Sequence, residues 1–529
     1  MRTPPRSASE VLRGLWFLLN VCLRAGVGAW RAVAFRLLRL LLHLKLDPSD
    51  PRLQWTFLNE VWNETSRYVV RWGAEQLWRD ERKYTTVRWL GHVLATPAAA
   101  ALRWRRRLVR HAVPCAPGSR AWCAELLVPA RMAYRAGERI PFEDMRWVLY
   151  LHGGGYASGT SATTTGFAVE MLDALERCGG VSAASAPAAA MLLEYRCAPE
   201  HRFPAAIEDA VDAFDWLRAR AGAHRIVVAG DSGGGGLAVS LLLALQCRAR
   251  PADLPTGLAP LGLSTSLYVT EQVCGDDPSN VAAAAAMASA ATLAAPRGNG
   301  AESLPAAVVA FSPMLDLRWR GAGADNSNSP VATTTAAACT DAHDSVSRYY
   351  NTEFQRFDCI LPKLARGCSR NYLCTADPRH PLASPALAPP ALLRLLAGGH
   401  TTLATAGATA PAGDSCKCSP PLLIQVGECE IFSEECRTFA QRAAAVGAVP
   451  VLQVFEAQTH VFQSFAASGA LVTPRAAEAL ASAARFSVAA MEDAAGNAAR
   501  SPGPAGFVQV EKSDSQRQCP APVGFAQSV

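Results

Sequence analysis

The chain lacks the sequence features of several large functional classes. Its 16 cysteines include no pair with C-x-x-C spacing, so a zinc site is not indicated. The net charge of +6 is small for 529 residues, and neither a helix-turn-helix pattern nor an RNA-binding aromatic motif accompanies the basic segments. We therefore expect neither a metal nor a nucleic-acid partner. Half of the residues are hydrophobic and 18% are charged, which allows a sizeable buried core.

The cysteines are scattered along the chain instead of being gathered in a short disulfide framework. This distribution favours a large enzyme whose thiols are mostly free. Cys429 and Cys436 are close enough in sequence to pair in an oxidising compartment, and the sequence leaves that pairing open.

Residues 1–50 lack an uncharged run of about 20 residues, the length that a membrane-spanning helix requires. Residues 12–46 are nevertheless strongly apolar, and one helical stripe about 100° wide collects Arg13, Asn20, Arg24, Arg31 and Arg39. This pattern predicts an amphipathic or anchor-type helix on a membrane or lipid-droplet surface, with the arginines reaching the headgroups. A tilted signal anchor and a helix packed against the rest of the protein remain alternatives. The expected location is the endoplasmic reticulum or a lipid droplet, and otherwise the cytoplasm.

The remainder of the chain divides by composition. Residues 51–140 have apolar residues at helical spacing, which predicts a helical region. Residues 141–490 alternate helical segments with the strand-like runs RWVLYLH, AAMLLEYR, RIVVAGDS, AAVVAFSP, LLIQVGE and VLQVFEA. This alternation predicts an α/β fold with a mostly parallel sheet flanked by helices. Low-complexity segments at about 251–305 and 391–419 are interpreted as loop insertions, and residues 491–529 as a disordered tail.

The segment GDSGG, Gly230 to Gly234, satisfies G-x-S-x-G directly after a strand-like run and directly before a helical one. That context is typical of a nucleophile elbow, in which a sharp turn raises the Ser232 hydroxyl above the sheet at the positive end of a helix. A P-loop is excluded because no Lys-Ser/Thr pair follows. A glycine-rich turn without catalytic function remains the alternative for this motif taken alone.

A second glycine-rich motif, His152-Gly153-Gly154-Gly155, ends an earlier strand-like run. Bare backbone at this point can aim N–H groups at the oxygen of a tetrahedral intermediate, together with the N–H of Gly233. We therefore predict an oxyanion hole formed from Gly153, Gly154, Gly155 and Gly233. Two of the three loop glycines should donate, and Gly154 and Gly155 are favoured.

From about Val148 to Phe465, the chain resembles the hormone-sensitive-lipase family of α/β-hydrolases, the fold-3 group. Besides the elbow, the resemblance is carried in order by HGGG, EYRCAPEHRFPAAIEDA, FSPMLDL, ADPRHPLASP, PPLLIQVGECEIFSEE and THVFQSF. The resemblance implies the α/β-hydrolase fold, an N-terminal helical cap in residues 51–140, and serine catalysis without a cofactor.

The resemblance also implies that Glu430, in GECE, is the catalytic acid and that His460, in THVF, is the catalytic histidine. The family more often has Asp at the position of Glu430, and Glu428 and Glu434 lie nearby as competitors. The chain order Ser232, Glu430, His460 is that of α/β-hydrolases.

The expected reaction is hydrolysis of a small, lipophilic, lipid-derived carboxylic ester through an acyl-enzyme on Ser232. His460 would serve as general base and then acid, and Glu430 would orient it. Amide hydrolysis or acyl transfer by the same triad remains an alternative. A non-catalytic ligand receptor on the same fold is another, although receptors of that type lose the catalytic histidine that this chain retains.

Overall fold

The computed structural model describes most of the chain, with gaps in the low-complexity segments. The described residues are 8–41, 50, 52, 54–79, 83–115, 121–133, 140–179, 186–250, 304–318, 357–397, 419–465 and 473–495. Almost all of the insertion predicted at 251–305 lies outside the described residues, as do 398–418 and 496–529.

A central eight-stranded sheet has the order β1-β2-β4-β3-β5-β6-β7-β8. Its strands are Leu108–Val113 (β1), Cys123–Pro129 (β2), Arg146–Leu151 (β3), Ala188–Glu194 (β4), Ile226–Asp231 (β5), Ala307–Phe311 (β6), Leu422–Gly427 (β7) and Val451–Phe455 (β8). The β1–β2 and β2–β4 pairs are antiparallel, and the other neighbours are parallel. The six strand-like runs correspond to β3–β8, so the predicted mostly parallel α/β-hydrolase sheet is confirmed.

Described helices flank this sheet, and three of them precede its first strand in the chain. They are Ala8–Leu41 (α1), Phe57–Arg79 (α2), Lys83–Arg105 (α3), Ala130–Ala133 (α4), Ser161–Cys178 (α5), Ala205–Ala221 (α6), Gly233–Ala249 (α7), Pro362–Leu373 (α8), Pro390–Leu393 (α9), Ser433–Ala444 (α10) and Pro474–Ala494 (α11). Helices α6, α7, α8 and α10 contribute to the core on one face of the sheet, and α5 and α11 to the core on the other.

Strand β3 shows why the sheet is buried on both faces. Trp147, Leu149 and Leu151 belong to one core cluster, whereas Val148 and Tyr150 belong to the other. Successive side chains of a strand point to opposite faces, so an uninterrupted apolar run covers both. The central strands of this chain carry such runs because helices pack on each side.

The helical region predicted over residues 51–140 differs from the structure in its second half, which contains two strands. Helix α3 ends at Arg105, Arg107 adopts a φ of 51°, and the chain then enters β1 and β2. The arginine-rich run around Arg107 has no clear alternation, and β1 is an edge strand that pairs only with β2. The signal for a strand was therefore weak there, although β2 is a nearly continuous buried run.

Two further boundaries differ from the predictions. Residues 391–396, assigned to an insertion, form helical turns whose leucines lie in the core: Leu392, Leu393, Leu395 and Leu396. Helix α11 continues to Ala494, past the predicted start of the tail at residue 491. In both places buried apolar side chains stabilise a segment whose composition suggested a loop.

Helix α1 packs against α2 partly through arginines, two of which belong to the predicted basic stripe and one of which, Arg36, does not. The Arg24 guanidinium lies 5.1 Å from the Trp72 ring centre, and Arg36 pairs with Glu60 at 3.3 Å. Arg31 likewise lies 5.5 Å from a ring centre of α2. The two stripe arginines whose side chains the structure describes, Arg24 and Arg31, therefore contact rings of a neighbouring helix, although Arg31 is also exposed to solvent. Among the described helices, none is long and apolar enough to cross a bilayer.

Candidate active site

The predicted site residues meet at one edge of the sheet. The loop after β3 carries Gly153–Gly155, Ser232 follows β5, Glu430 follows β7 and His460 follows β8. The order β3-β5-β6-β7-β8 is parallel, so the carboxyl ends of these strands share an edge. Segments more than 200 residues apart in the chain are thereby brought together.

The turn at Ser232 has the strained backbone of a nucleophile elbow. Ser232 has φ 55° and ψ −121°, a conformation that costs an L-residue about 1–3 kcal/mol. Its N–H donates to the Phe311 carbonyl at 2.9 Å, and its carbonyl accepts from Gly236 at the start of α7. A Cβ on Gly234 would lie 2.1 Å from the Leu151 carbonyl oxygen, so this close approach requires glycine.

Ser232 and His460 are in hydrogen-bond contact. His460 Nε2 lies 2.9 Å from Ser232 Oγ, and on the other side of the ring Nδ1 lies 3.9 Å from Glu430 Oε2. The competing acids are directed elsewhere: Glu428 accepts from the Ala457 N–H at 3.1 Å, and Glu434 is exposed. Of the three glutamates, Glu430 is the one placed beside the imidazole.

Burial sets the resting charge state of this pair. It lowers the pKa of the His460 imidazole to about 3. It also raises the pKa of the Glu430 carboxyl well above its usual range, with the nearby Asp358 carboxylate as the second cause. The resting imidazole is therefore neutral, as a general base must be. Catalytic hydrogen bonds are often long before substrate binds, and the 3.9 Å separation of Nδ1 and Oε2 has that character.

The three loop glycines do not have the same surroundings. The Gly153 N–H donates to Asp231 Oδ1 at 3.0 Å, so this amide is already engaged and does not fit the predicted donor role. Gly154 and Gly155 have φ of 104° and 58°, which turns the loop over the elbow. A Cβ built on Gly233 would lie 3.1 Å from the Gly155 nitrogen. The amides that remain as candidate oxyanion donors are those of Gly154, Gly155 and Gly233.

Ser312, after β6, is a site residue that the sequence did not reveal. Its buried hydroxyl donates to Glu430 Oε2 at 2.7 Å and accepts the Val461 N–H at 3.0 Å. It therefore connects the acid to the residue that follows His460. The segment FSPMLDL drew attention through the family resemblance, but nothing in its composition assigns a role to this serine.

Removal of the Ser312 hydroxyl should slow turnover without abolishing it. A hydrogen bond to a charged group contributes about 1.5–3 kcal/mol and about 1.36 kcal/mol is a factor of ten in rate, so Ser312→Ala should lower kcat by about 10- to 100-fold. The measurement is kcat per titrated active site on a short-chain p-nitrophenyl ester.

The matched control is Ser240→Ala, because Ser240 in α7 is also fully buried but its hydroxyl has no partner among the described residues. Its kcat should equal that of the wild type. Equal kcat values for both variants would show that Glu430 does not depend on Ser312.

Helix α2 contacts the loop that carries His460. Thr459 Oγ1 donates to Asn63 Oδ1 at 2.9 Å, and Trp55 Nε1 donates to the Ala457 carbonyl at 2.6 Å. Asn63 is only 1% exposed, so the N-x-T sequence in which it stands is not an accessible glycan acceptor in this fold. Helix α2 and Trp55, which lies just before it, thus help to support the loop that carries His460.

The cysteines near the site are free thiols. Cys429 and Cys436 are both buried, and each is unpaired within the part of the chain that the structure describes. The disulfide that the sequence left open is therefore not formed.

Comparison with known proteins identifies the family. A family model described as the alpha/beta hydrolase fold matches residues 148–464, more than half of the chain. An acetyl-hydrolase of Streptomyces hygroscopicus is 28% identical over 321 residues, which are 60% of this chain and 69% of that protein. A carboxylesterase/phospholipase of Mycobacterium tuberculosis is 33% identical over 134 residues, 25% of this chain and 33% of that protein.

Among solved structures, an esterase from the bacterial hormone-sensitive lipase family is 25% identical, with a TM-score of 0.45, over 76% of this chain and 90% of its own. The matched region contains both glycine-rich motifs, Glu430 and His460. The chain therefore belongs to the hormone-sensitive-lipase family, the fold-3 group of α/β-hydrolases, and is a carboxylic ester hydrolase of esterase/lipase type.

Proposed function

We propose that the protein cleaves carboxylic esters through an acyl-enzyme on Ser232. His460 Nε2 takes the hydroxyl proton as Oγ attacks the ester carbonyl carbon, and the resulting oxyanion accepts hydrogen bonds from the free loop amides and Gly233. His460 then protonates the departing alcohol. In the second half, His460 deprotonates a water molecule that releases the carboxylic acid, while Glu430 orients the ring and stabilises its charged form.

The observation that supports this mechanism most directly is the 2.9 Å contact between Ser232 Oγ and His460 Nε2. It joins a strained serine at a helix N-terminus to a buried, neutral imidazole with a carboxyl group on its far side. The same contact disfavours the receptor alternative, since a ligand-binding role would not require an activated hydroxyl.

A series of p-nitrophenyl esters from acetate to palmitate tests the proposal and reads out acyl-chain preference. Amide hydrolysis is tested with the matched p-nitroanilides, and acyl transfer by adding a long-chain alcohol and measuring the new ester. We expect ester hydrolysis to dominate. No turnover of any ester by folded protein would contradict the proposed function.

We further propose that the substrates are lipid-derived and reach the enzyme at a membrane surface. Among the described residues, eleven of the twelve exposed large hydrophobic side chains lie in α1, α2 and α3: Leu19, Leu23, Val27, Trp30, Leu37, Phe57, Leu58, Trp62, Val93, Leu94 and Trp104. A concentration of this kind is typical of a membrane or protein contact surface.

The chemistry at the end of α3 favours lipid over a protein partner. Trp104 is 85% exposed and stands between Arg103 and Arg105, and tryptophan with neighbouring basic residues is enriched at membrane–water interfaces. Because the arginines of α1 face α2, the apolar side chains of α1 would enter the lipid, with the basic end of α3 at the headgroups.

The double substitution Leu23→Glu/Trp30→Glu should release the protein from vesicles. Burial of a large apolar side chain contributes about 1.5–3 kcal/mol, so the loss of two should lower the partition coefficient by more than about 100-fold. The measurement is co-sedimentation with vesicles of phosphatidylcholine and phosphatidylserine. Turnover of a soluble short-chain ester should not change.

Val449→Glu is the control, since Val449 is the twelfth exposed hydrophobic side chain and lies outside the three helices. It should leave vesicle binding intact. A wild-type protein that stays in the supernatant, or a double variant that sediments as well as the wild type, would exclude this surface as the membrane contact.

A further inference from the structure

The buried carboxylate of Asp358 joins the two loops that carry Glu430 and His460. Asp358 Oδ2 accepts the N–H of Ile431, the residue after Glu430, at 2.8 Å. Its Oδ1 accepts the N–H of His460 itself at 3.3 Å. Asp358 is fully buried and lies four residues before α8. A single side chain from a third segment thus contacts the backbone of both catalytic loops.

The surroundings of Asp358 require an acceptor with two oxygens. Besides the Ile431 and His460 amides, its own neighbours Cys359 and Ile360 donate backbone N–H groups to it. An amide side chain at this position offers one oxygen and turns two N–H donors toward groups that are themselves donors. A buried N–H donor without an acceptor costs free energy. The carboxylate can therefore bond the backbone of both loops, whereas an amide of the same shape could bond only one of them.

Among the residues that the structure describes, few charged and titratable groups face this carboxylate. They are the Glu430 carboxyl, the thiols of Cys359 and Cys429, and the Arg67 guanidinium of α2. Burial raises the pKa of Asp358 to about 6, and its backbone hydrogen bonds oppose that rise.

We propose that Asp358 is a positioning residue for catalysis, which fixes the His460 ring relative to Glu430 by clamping the two loops together. This inference rests on the proposed function, because it assigns Asp358 a role in the same triad. The Nδ1 to Oε2 separation is 3.9 Å at rest, and the pair must close to a hydrogen bond when the imidazolium forms. If the distance between the two loops is fixed, small side-chain motions are enough to bring Nδ1 and Oε2 into hydrogen-bond contact.

Asp358→Asn tests the clamp through two rates, each referred to titrated active sites. The first is kcat on p-nitrophenyl butyrate. The second is the rate at which a p-nitrophenyl alkylphosphonate labels Ser232, where Oγ displaces p-nitrophenolate from phosphorus with His460 as base. Both should fall about 10- to 100-fold with KM close to wild type, because a misplacement of about 1 Å can cost on the order of 10²-fold in rate.

Asp209→Asn is the matched control for buried carboxylates. Asp209 is 2% exposed and accepts the Arg196 backbone N–H at 2.7 Å, but it contacts neither catalytic loop in the described structure. It should lower the melting temperature and leave kcat unchanged. In a Glu430→Gln background, Asp358→Asn should lower kcat by a smaller factor than in the wild type, because the alignment of His460 with the Glu430 carboxylate is already lost.

The outcomes separate a positioning role from a merely structural one. A lower melting temperature for Asp358→Asn with both rates at wild-type values would overturn the inference. If the variant does not fold, Asp358→Ser, which keeps one acceptor oxygen, replaces it, and the same two rates are measured with the same criterion. A wild-type protein that is phosphonylated but turns over no ester would refute the proposed function, while the phosphonylation rate still decides the role of Asp358.

Discussion

Ser232→Ala and His460→Ala should each lower kcat on p-nitrophenyl esters by a factor on the order of 10⁶, as expected when a nucleophile or its base is removed from a triad. KM should change little, because neither side chain contributes mainly to ground-state binding. The residual rate would come from the oxyanion donors and from substrate positioning. The measurement is kcat from saturation kinetics on folded protein, with active sites titrated in the wild type.

The double variant Ser232→Ala/His460→Ala gives the sharper result. The two groups act as one unit across the 2.9 Å contact, so the double variant should be no slower than either single one. Ser240→Ala and His224→Ala serve as controls: Ser240 lies further along α7, and His224 lies at the opposite end of β5 from Ser232. Multiplying effects in the double variant, or a His460→Ala variant with wild-type kcat, would mean that another base activates Ser232.

The fold was predictable where its determinants are contiguous in the sequence. Each of the strands β3–β8 is a short apolar run followed by a turn or helical signal, and burial on both faces preserves such runs. The elbow was recognisable for the same reason, because Gly230 to Gly234 must satisfy one tight turn with local residues. Strand β1 was not predicted because it is a short edge strand, LVRHAV, that directly follows an arginine-rich run and shows no regular alternation of apolar and polar residues.

The connections within the candidate site were not predictable, because they join distant segments through single polar atoms. Asp358 bonds the backbone of His460 across 102 positions, and Asn63 bonds Thr459 across 396. No local periodicity of the sequence predicts such a hydrogen-bonded pair, and Asp358 follows a stretch with no recognisable motif. The roles assigned to Ser232, Glu430 and His460 stay predictions that the geometry supports, and the variants above test them.

The basic stripe of α1 shows a different limit of sequence reasoning. The helical periodicity was read correctly as amphipathic, but periodicity cannot say what covers each face. In the structure Arg24 lies over the Trp72 ring, and the neighbouring apolar side chains Leu23 and Trp30 are exposed. Aromatic rings and the Glu60 carboxylate of α2 contact Arg24, Arg31 and Arg36 of α1 through cation–π and ionic interactions.

Gly155→Ala should lower kcat by about 10²- to 10³-fold, the cost of losing one oxyanion donor in other enzymes. Gly155 has φ 58°, where an alanine is disfavoured by about 1–2 kcal/mol. The added Cβ would also lie 2.5 Å from Cys368 Sγ and 2.8 Å from Cys368 Cβ in α8, so the loop must move. Its amide then no longer points to the position of the oxyanion, while the ground-state ester binds nearly as before and KM is little affected.

A second substitution separates the steric effect from the backbone strain. Gly155→Ala/Cys368→Gly removes the obstructing side chain and should regain part of the lost kcat, with the remainder due to the positive φ. Gly447→Ala is the matched control, because Gly447 has φ 85° with no described atom within 4 Å of its added Cβ, and it lies in the turn before β8. It should cost stability and leave kcat unchanged. A Gly155→Ala variant with wild-type kcat would show that the loop amide takes no part in stabilising the oxyanion, leaving Gly154 and Gly233 to do so.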